Sequence, residues 1–459
     1  MFFALIGACL CNMVDARDTY KAPVKAVNLD SISAWFASTP ITAGGLVTPA
    51  DSLVTLTSDK DFHLWSWRMF LWLMSQNEQD FVFDSSGFYD LSEDNKLLSN
   101  TPGSDNVRFI RTGQAGMMAH GVLMSQSVGV TPTGSLVYYG IHVNDTFAYY
   151  SSGFQNQGPL STLTDFPTSQ SELTKISNYA NTTYGATLQN PNTLAMELKS
   201  SWVKVASAAS APSYLTTTAE IPVYIKSADN RTWTWDGKTK ESATLAMVGF
   251  HVVGSTAGHP EMVWATFEHN GNSPDANYQA NATLQETFAS DGTLLNKSAD
   301  WLFYEGTSKQ SQANIPKMNL TTKTTGSIVI QAVQGETISA ASTYRVSPFG
   351  NPTSDDAGNT LLASINENIQ GQLLSGDLRK NYFLVGSVWT KNGVPGQGGS
   401  LPELAGSTKL ANTTMETFTQ NKDCFSCHTT QHDLSLSHIL DLIQPLSPLQ
   451  NPTHVRGDK

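Results

Sequence analysis

Ala243-Thr244-Leu245-Ala246-Met247-Val248-Gly249-Phe250-His251-Val252-Val253 is followed, after the loop Gly254 to Glu261, by Met262-Val263-Trp264-Ala265-Thr266-Phe267-Glu268-His269. Both runs are rich in β-branched and aromatic residues and are separated by a glycine-containing loop, the pattern of two paired strands. Further strands are expected at Leu136 to Val143, 196–205, 220–226, 231–235, 327–333, 342–347 and Tyr382 to Trp389. Helical signals are fewer. Phe62, Trp65, Ser66, Met69, Phe70 and Leu73 recur at i, i+3, i+4 behind Ser58 or Asp59 as a cap, and 360–375 has a helical pattern. Residues 105–155 have β character closed by an Asn144-Asp145 turn. Residues 28–55 and the Ser/Thr/Asn/Gly-rich 150–192 look like loop, the latter a long surface excursion. The fold class expected is β-rich α+β, a large, mainly antiparallel β body with a few helices.

The composition suits that body. At 459 residues the chain is long enough for a large core, and only 14% of it is charged. Its polar surface must therefore come largely from Ser, Thr, Asn and Gln, as in exported β-rich proteins. The net charge is −12, with no basic stripe to neutralise phosphates, which argues against a nucleic-acid partner. The apolar start Met1 to Ala16 is too short to span a bilayer. It resembles a signal-peptide core with Val14-Asp15-Ala16 as the cleavage site, which makes 1–16 a signal peptide although a basic leading region is missing. Ile6-Gly7-Ala8-Cys9 also resembles a lipobox, which would make Cys9 a lipid anchor. No other segment approaches a transmembrane span, so the expected location is periplasmic or extracellular.

The chemistry concentrates at Cys424-Phe425-Ser426-Cys427-His428. This is C-x-x-C-H, the attachment pattern of haem c. Two thiols at this spacing can add to the two haem vinyl groups, and the adjacent histidine can reach the iron. The other cysteines, Cys9 and Cys11, lie in the segment expected to be removed. A thioredoxin-like C-x-x-C would need a βαβ context, and half a zinc site would need a second Cys/His pair, although His432 and His438 are near. Lys391 to Gly406 is Gly/Pro-rich and reads as a linker or long loop into the haem segment. The organisation expected is thus a β-rich body over 17–405 and a haem-attachment segment over 406–459 packed on it. Within that segment, Thr413-x-x-Glu416 has the form of a capping box opening a short helix, and a second short helix is expected behind Asp433. No methionine follows His428, so a sixth ligand must come from the body.

Five stretches carry a resemblance: Glu197 to Trp202, Met247 to Val253, Val263 to His269, Asn381 to Trp389, and Leu410 to Phe418 leading into the C-x-x-C-H. In order and content, residues 195–440 resemble a broad group of exported bacterial cytochrome c family proteins. The resemblance implies an exported single-haem protein and no particular reaction.

His428 is the expected proximal iron ligand. For the distal side, His269 ranks first and His251 second, since each shares a strand face with small or apolar residues. His120, Met117 and Met118 follow. Met415 and His438 are expected to pack on the porphyrin edge or face solvent. Glu268, beside His269, is expected to face outward as a strand neighbour. Arg108 and Arg111 could neutralise haem propionates, although isolated arginines are usually surface residues. The cofactor expected is one covalent haem c. The function expected is one-electron transfer with a redox partner protein or a small-molecule donor or acceptor. The alternative is a haem enzyme with an open distal site acting on peroxide, oxygen, a nitrogen oxide or an organic substrate.

Overall fold

The computed structural model describes residues 29–448 apart from 78–79, 93, 101–111, 114, 116–120, 277, 281–285, 289–299, 307, 309, 323–326, 350–357, 392, 394–402, 429–435 and 441. The expected signal segment with Cys9 and Cys11, and Arg108, Arg111, Met117, Met118, His120, His432 and Asp433, therefore lie outside the described residues.

Ala243 to Val253 and Met262 to His269 form the spine of a nine-stranded sheet. Its strands are β1 (Phe88–Leu91), β2 (Leu97–Ser99), β3 (Val137–Asn144), β4 (Met196–Lys204), β5 (Thr216–Pro222), β6 (Lys240–Thr256), β7 (His259–His269), β8 (Tyr382–Thr390) and β9 (Leu404–Gly406). The order is β9-β8-β7-β6-β4-β3-β1-β2, with β5 on the first half of β6, and every pairing is antiparallel. The β-rich α+β class is as expected. A smaller four-stranded sheet carries Thr232–Trp235 and Ile328–Ala332 at its centre.

One face of the large sheet is closed by helices. α1 (Asp59–Leu73) begins at Ser58, whose side chain accepts from Asp61 N–H while the Asp61 carboxylate accepts from Ser58 N–H, a reciprocal cap. Its Phe70 stacks on Phe267 at 4.1 Å, and its Trp67 meets the same ring edge-on. Trp67 also donates to Asn366 on α4 (Gly358–Gln372), and Asn366 in turn bonds both the N–H and C=O of Leu384 on β8. These buried aromatics explain why the helices hold this face, since each large ring removes on the order of 150–250 Å² from water.

Several sequence expectations need correction. The 150–192 excursion is largely helical: α2 (Asp145–Phe154) and α3 (Gln170–Tyr184) pack together there. Asn144 closes β3 not as a turn but as the cap of α2, accepting from Phe147 N–H. No strand occurs at 342–347; Arg345 makes only an isolated bridge to Asp275. The boundary drawn at 405/406 falls inside β9, so the C-terminal segment enters as part of the sheet.

Candidate functional site

The opposite face of the sheet receives the C-terminal segment. Register places Glu197, Lys199 and Ser201 of β4, Gly249, His251 and Val253 of β6, and Trp264, Thr266 and Glu268 of β7 side by side, because alternate residues share a face. The segment engages this row almost residue by residue. Thr414 bonds Ser201 at 2.8 Å, Asn412 donates to Thr266 at 2.8 Å, and Thr413 donates to both oxygens of Glu268. Glu416 pairs with His251 at 3.1 Å, and Ser437 donates to Glu197 at 2.6 Å. Gly249 makes the docking possible: a Cβ there would lie 2.6 Å from Thr414 Oγ1 and 2.7 Å from Ser201 Oγ.

The expected helix at Thr413 is instead a series of turns, in which Glu416 accepts from Asn412 N–H at 2.9 Å. Beyond it, Cys424–Cys427 form one helical turn, α5, with Asp423 as its cap accepting from Ser426 N–H at 2.7 Å. Phe425 is buried and anchors this turn against Trp264. Burial first, then the charges of Glu416, Asp423 and Cys427, push the Cys424 thiol well above its usual range, whereas Cys427 is exposed.

His428 is held on three sides. Its ring lies 4.3 Å from Trp264 and stacks on His438 at 4.0 Å. Its Nδ1–H donates to Leu436 C=O at 2.6 Å, and His438 is fixed in turn by a 3.1 Å bond to Cys427 C=O. With the proton on Nδ1, Nε2 carries the free lone pair. Burial, the neighbouring His438 and Lys199 lower its pKa to about 3, so the ring is neutral. A histidine would hold iron through Nε2 at its ring edge, and packing on both ring faces leaves that atom available. Two thiols on one helical turn followed by a neutral, Nδ1-anchored imidazole fit a covalently held haem. A haem brings four nitrogens of its own, and among the described residues no group of three or more His, Cys, Asp or Glu could hold a metal ion unaided.

The distal candidates separate. His251 stands beside the motif: it pairs with Thr266 and Lys199 across the sheet, one step from the Val253–Trp264 pair under His428. His269 is not brought there. It alternates to the other side of β7 from Trp264, stacks on Tyr214 at 3.7 Å, accepts from Gly271 N–H and donates to Ser213 C=O. Both of its nitrogens are thereby used. Met415 is buried in a core with Tyr139 and Val248 rather than at the surface.

Glu268 overturns the expectation that it faces outward. It is fully buried, pairs with Arg345 at 2.6 Å, and Arg345 also pairs with Asp275. Sequence reading also missed Glu416, Lys199 and Glu197 as a cluster beside the motif. Glu197 and Lys199 carried a usable signal, two charges at i and i+2 in an otherwise strand-like run. Burial pushes Glu197 up to about 7. Burial also works to raise Glu416, but the charge and hydrogen bond of His251, with Lys199 and the Asn412 N–H, outweigh it and hold the carboxyl at about 2.

No helix among the described residues is long and apolar enough to cross a membrane. No family model, no curated protein and no solved structure matches the chain.

Proposed function

We propose that the chain carries one haem c bound through Cys424 and Cys427, with His428 as the proximal ligand, and that it serves one-electron transfer outside the cytoplasm. The observation that carries this reading is the anchoring of His428 Nδ1 on Leu436 C=O directly after two thiols on one helical turn. When bound, the haem supplies the one-electron couple. The chain's own residues hold it, keep the proximal imidazole neutral and orient it. The resemblance of residues 195–440 to exported cytochrome c proteins and the apolar N-terminus agree with this reading. If the iron is six-coordinate, His251 is favoured by position ahead of His269, through Nδ1, since its Nε2 is bonded to Glu416.

A second reading, a haem enzyme with an open distal site, draws support from the His251–Glu416 pair, since a histidine and a carboxylate beside an iron can move protons. Acid-acetone treatment of the purified protein is the first test. Haem should stay on the polypeptide and account for one per chain, and Cys427→Ala should lose one thioether. Haem that extracts from the wild type removes the proposal. Ferrous protein that binds carbon monoxide at once would favour the enzyme over the carrier. Intact-mass measurement on native protein should give a chain starting near Arg17 or at a lipidated Cys9.

A further inference from the structure

We infer that Glu416 and Lys199 set the reduction potential of the bound haem as an opposed pair, Glu416 holding it down and Lys199 holding it up. This rests on the haem reading above and goes beyond it, because neither residue belongs to the attachment motif. The sheet places both. Lys199 lies directly across from His251 in the β4–β6 register, and Glu416 is bonded to His251 on the same face. Trp264, which touches His428, occupies the next cross-strand pair along. Cross-strand and diagonal neighbours on one face are roughly 5–8 Å apart, so both charges stand within direct electrostatic range of the motif.

Each charge is also fixed. Glu416 is tied at one oxygen to His251 and at the other to Asn412 N–H. Lys199 sits over the Tyr139 ring at 5.5 Å, where burial lowers its pKa and the charges of Glu416 and Glu197 oppose that shift; Tyr139 itself donates to Thr414 C=O within the docked segment. Glu416 is the carboxylate whose charge acts on all three motif residues, Cys424, Cys427 and His428. Glu197, the other acidic neighbour of Lys199, bonds Ser437 and with its raised pKa carries only part of a charge near neutral pH. Oxidised haem has one more positive charge than reduced haem. A nearby anion therefore favours the oxidised form and a nearby cation the reduced form, and partial exclusion of water strengthens both effects. The His251 and Glu416 side chains keep 18% and 32% of their surface open, so solvent weakens the influence without removing it.

The test is a spectroelectrochemical titration of the haem-loaded protein at neutral pH. Glu416→Gln, which keeps the size and much of the hydrogen bonding, should shift the midpoint potential upward. Lys199→Met should shift it downward, with Lys199→Gln as the substitute if the Met variant does not accumulate. A loss of packing alone would not produce shifts of opposite sign. Shifts in the same direction, or unmoved potentials in variants that retain covalent haem and the wild-type spectrum, overturn the inference. A wild-type protein without covalent haem is a different result, which removes the underlying reading.

Discussion

A single side chain, Glu268, shows how one residue can join three parts of the chain. Its carboxylate takes Arg345 from one loop and both donors of Thr413 from the C-terminal segment. Removing its charge leaves Arg345 buried with Asp275 as its remaining ionic partner. Glu268→Gln is expected to cost about 3–5 kcal/mol, the usual penalty for breaking a buried ion pair from one side, measurable as a lower denaturant midpoint. If haem is bound as proposed, His269→Ala should leave its spectrum unchanged, because the ring is already spent on Ser213 and Gly271. The C-x-x-C-H candidate could be read from the sequence because its spacing is local; the haem itself is a proposal. The ranking of His269 over His251 was not legible there, because alternation along one strand does not say which face the motif will cover. That choice follows from where Asn412, Thr413 and Thr414 dock.

The elements were legible in proportion to their apolar content. α1 announced itself by its aromatic spacing and by Ser58. α3 has the same kind of cap, Ser169 with Glu172, and an apolar line of Leu173, Ile176 and Ala180, but Ser, Thr and Asn residues disguise it. α2 was hidden because Asn144 signals a turn and a helix cap equally well. Its first residue, Asp145, is buried and pushed up to about 7 by that burial, against an ordinary 3.8, although Gln189 and Thr146 N–H groups oppose the shift. The folded state therefore holds this proton more tightly than the unfolded chain. Its contribution to stability falls as pH rises from about 4 to 7, and Asp145→Asn should flatten that part of a stability–pH curve. On the sheet, a Cβ at Gly386 would collide with Ser407. Gly386→Ala is expected to cost about 1–3 kcal/mol by overpacking the β8 edge where the C-terminal segment begins.

For the whole molecule, a net charge of −12 is compatible with a cationic redox partner, if the chain exchanges electrons as proposed. The rate of electron exchange with such a partner should fall steeply as ionic strength rises, whereas exchange with a neutral small molecule should not. Composition allowed that expectation, and the fold class with it, but not the two-sided plan of the sheet. Helices seal one face with aromatic rings, while the other is sealed by a polar run from the far end of the chain. β9 and the Asn412–Thr414 plug come late in the sequence and yet complete a surface whose strands begin with β1. The plug's contacts span about 145–213 residues of sequence, a high contact order, so refolding should be slow, limited by the search that docks this segment on mid-chain strands. A chain cut after residue 402 would lack β9 and every partner that Ser201, Thr266 and Glu268 find in the docked segment, and it should aggregate rather than survive as a smaller protein. The segment over 404–416 is thus a latch on the sheet rather than an appendage to it.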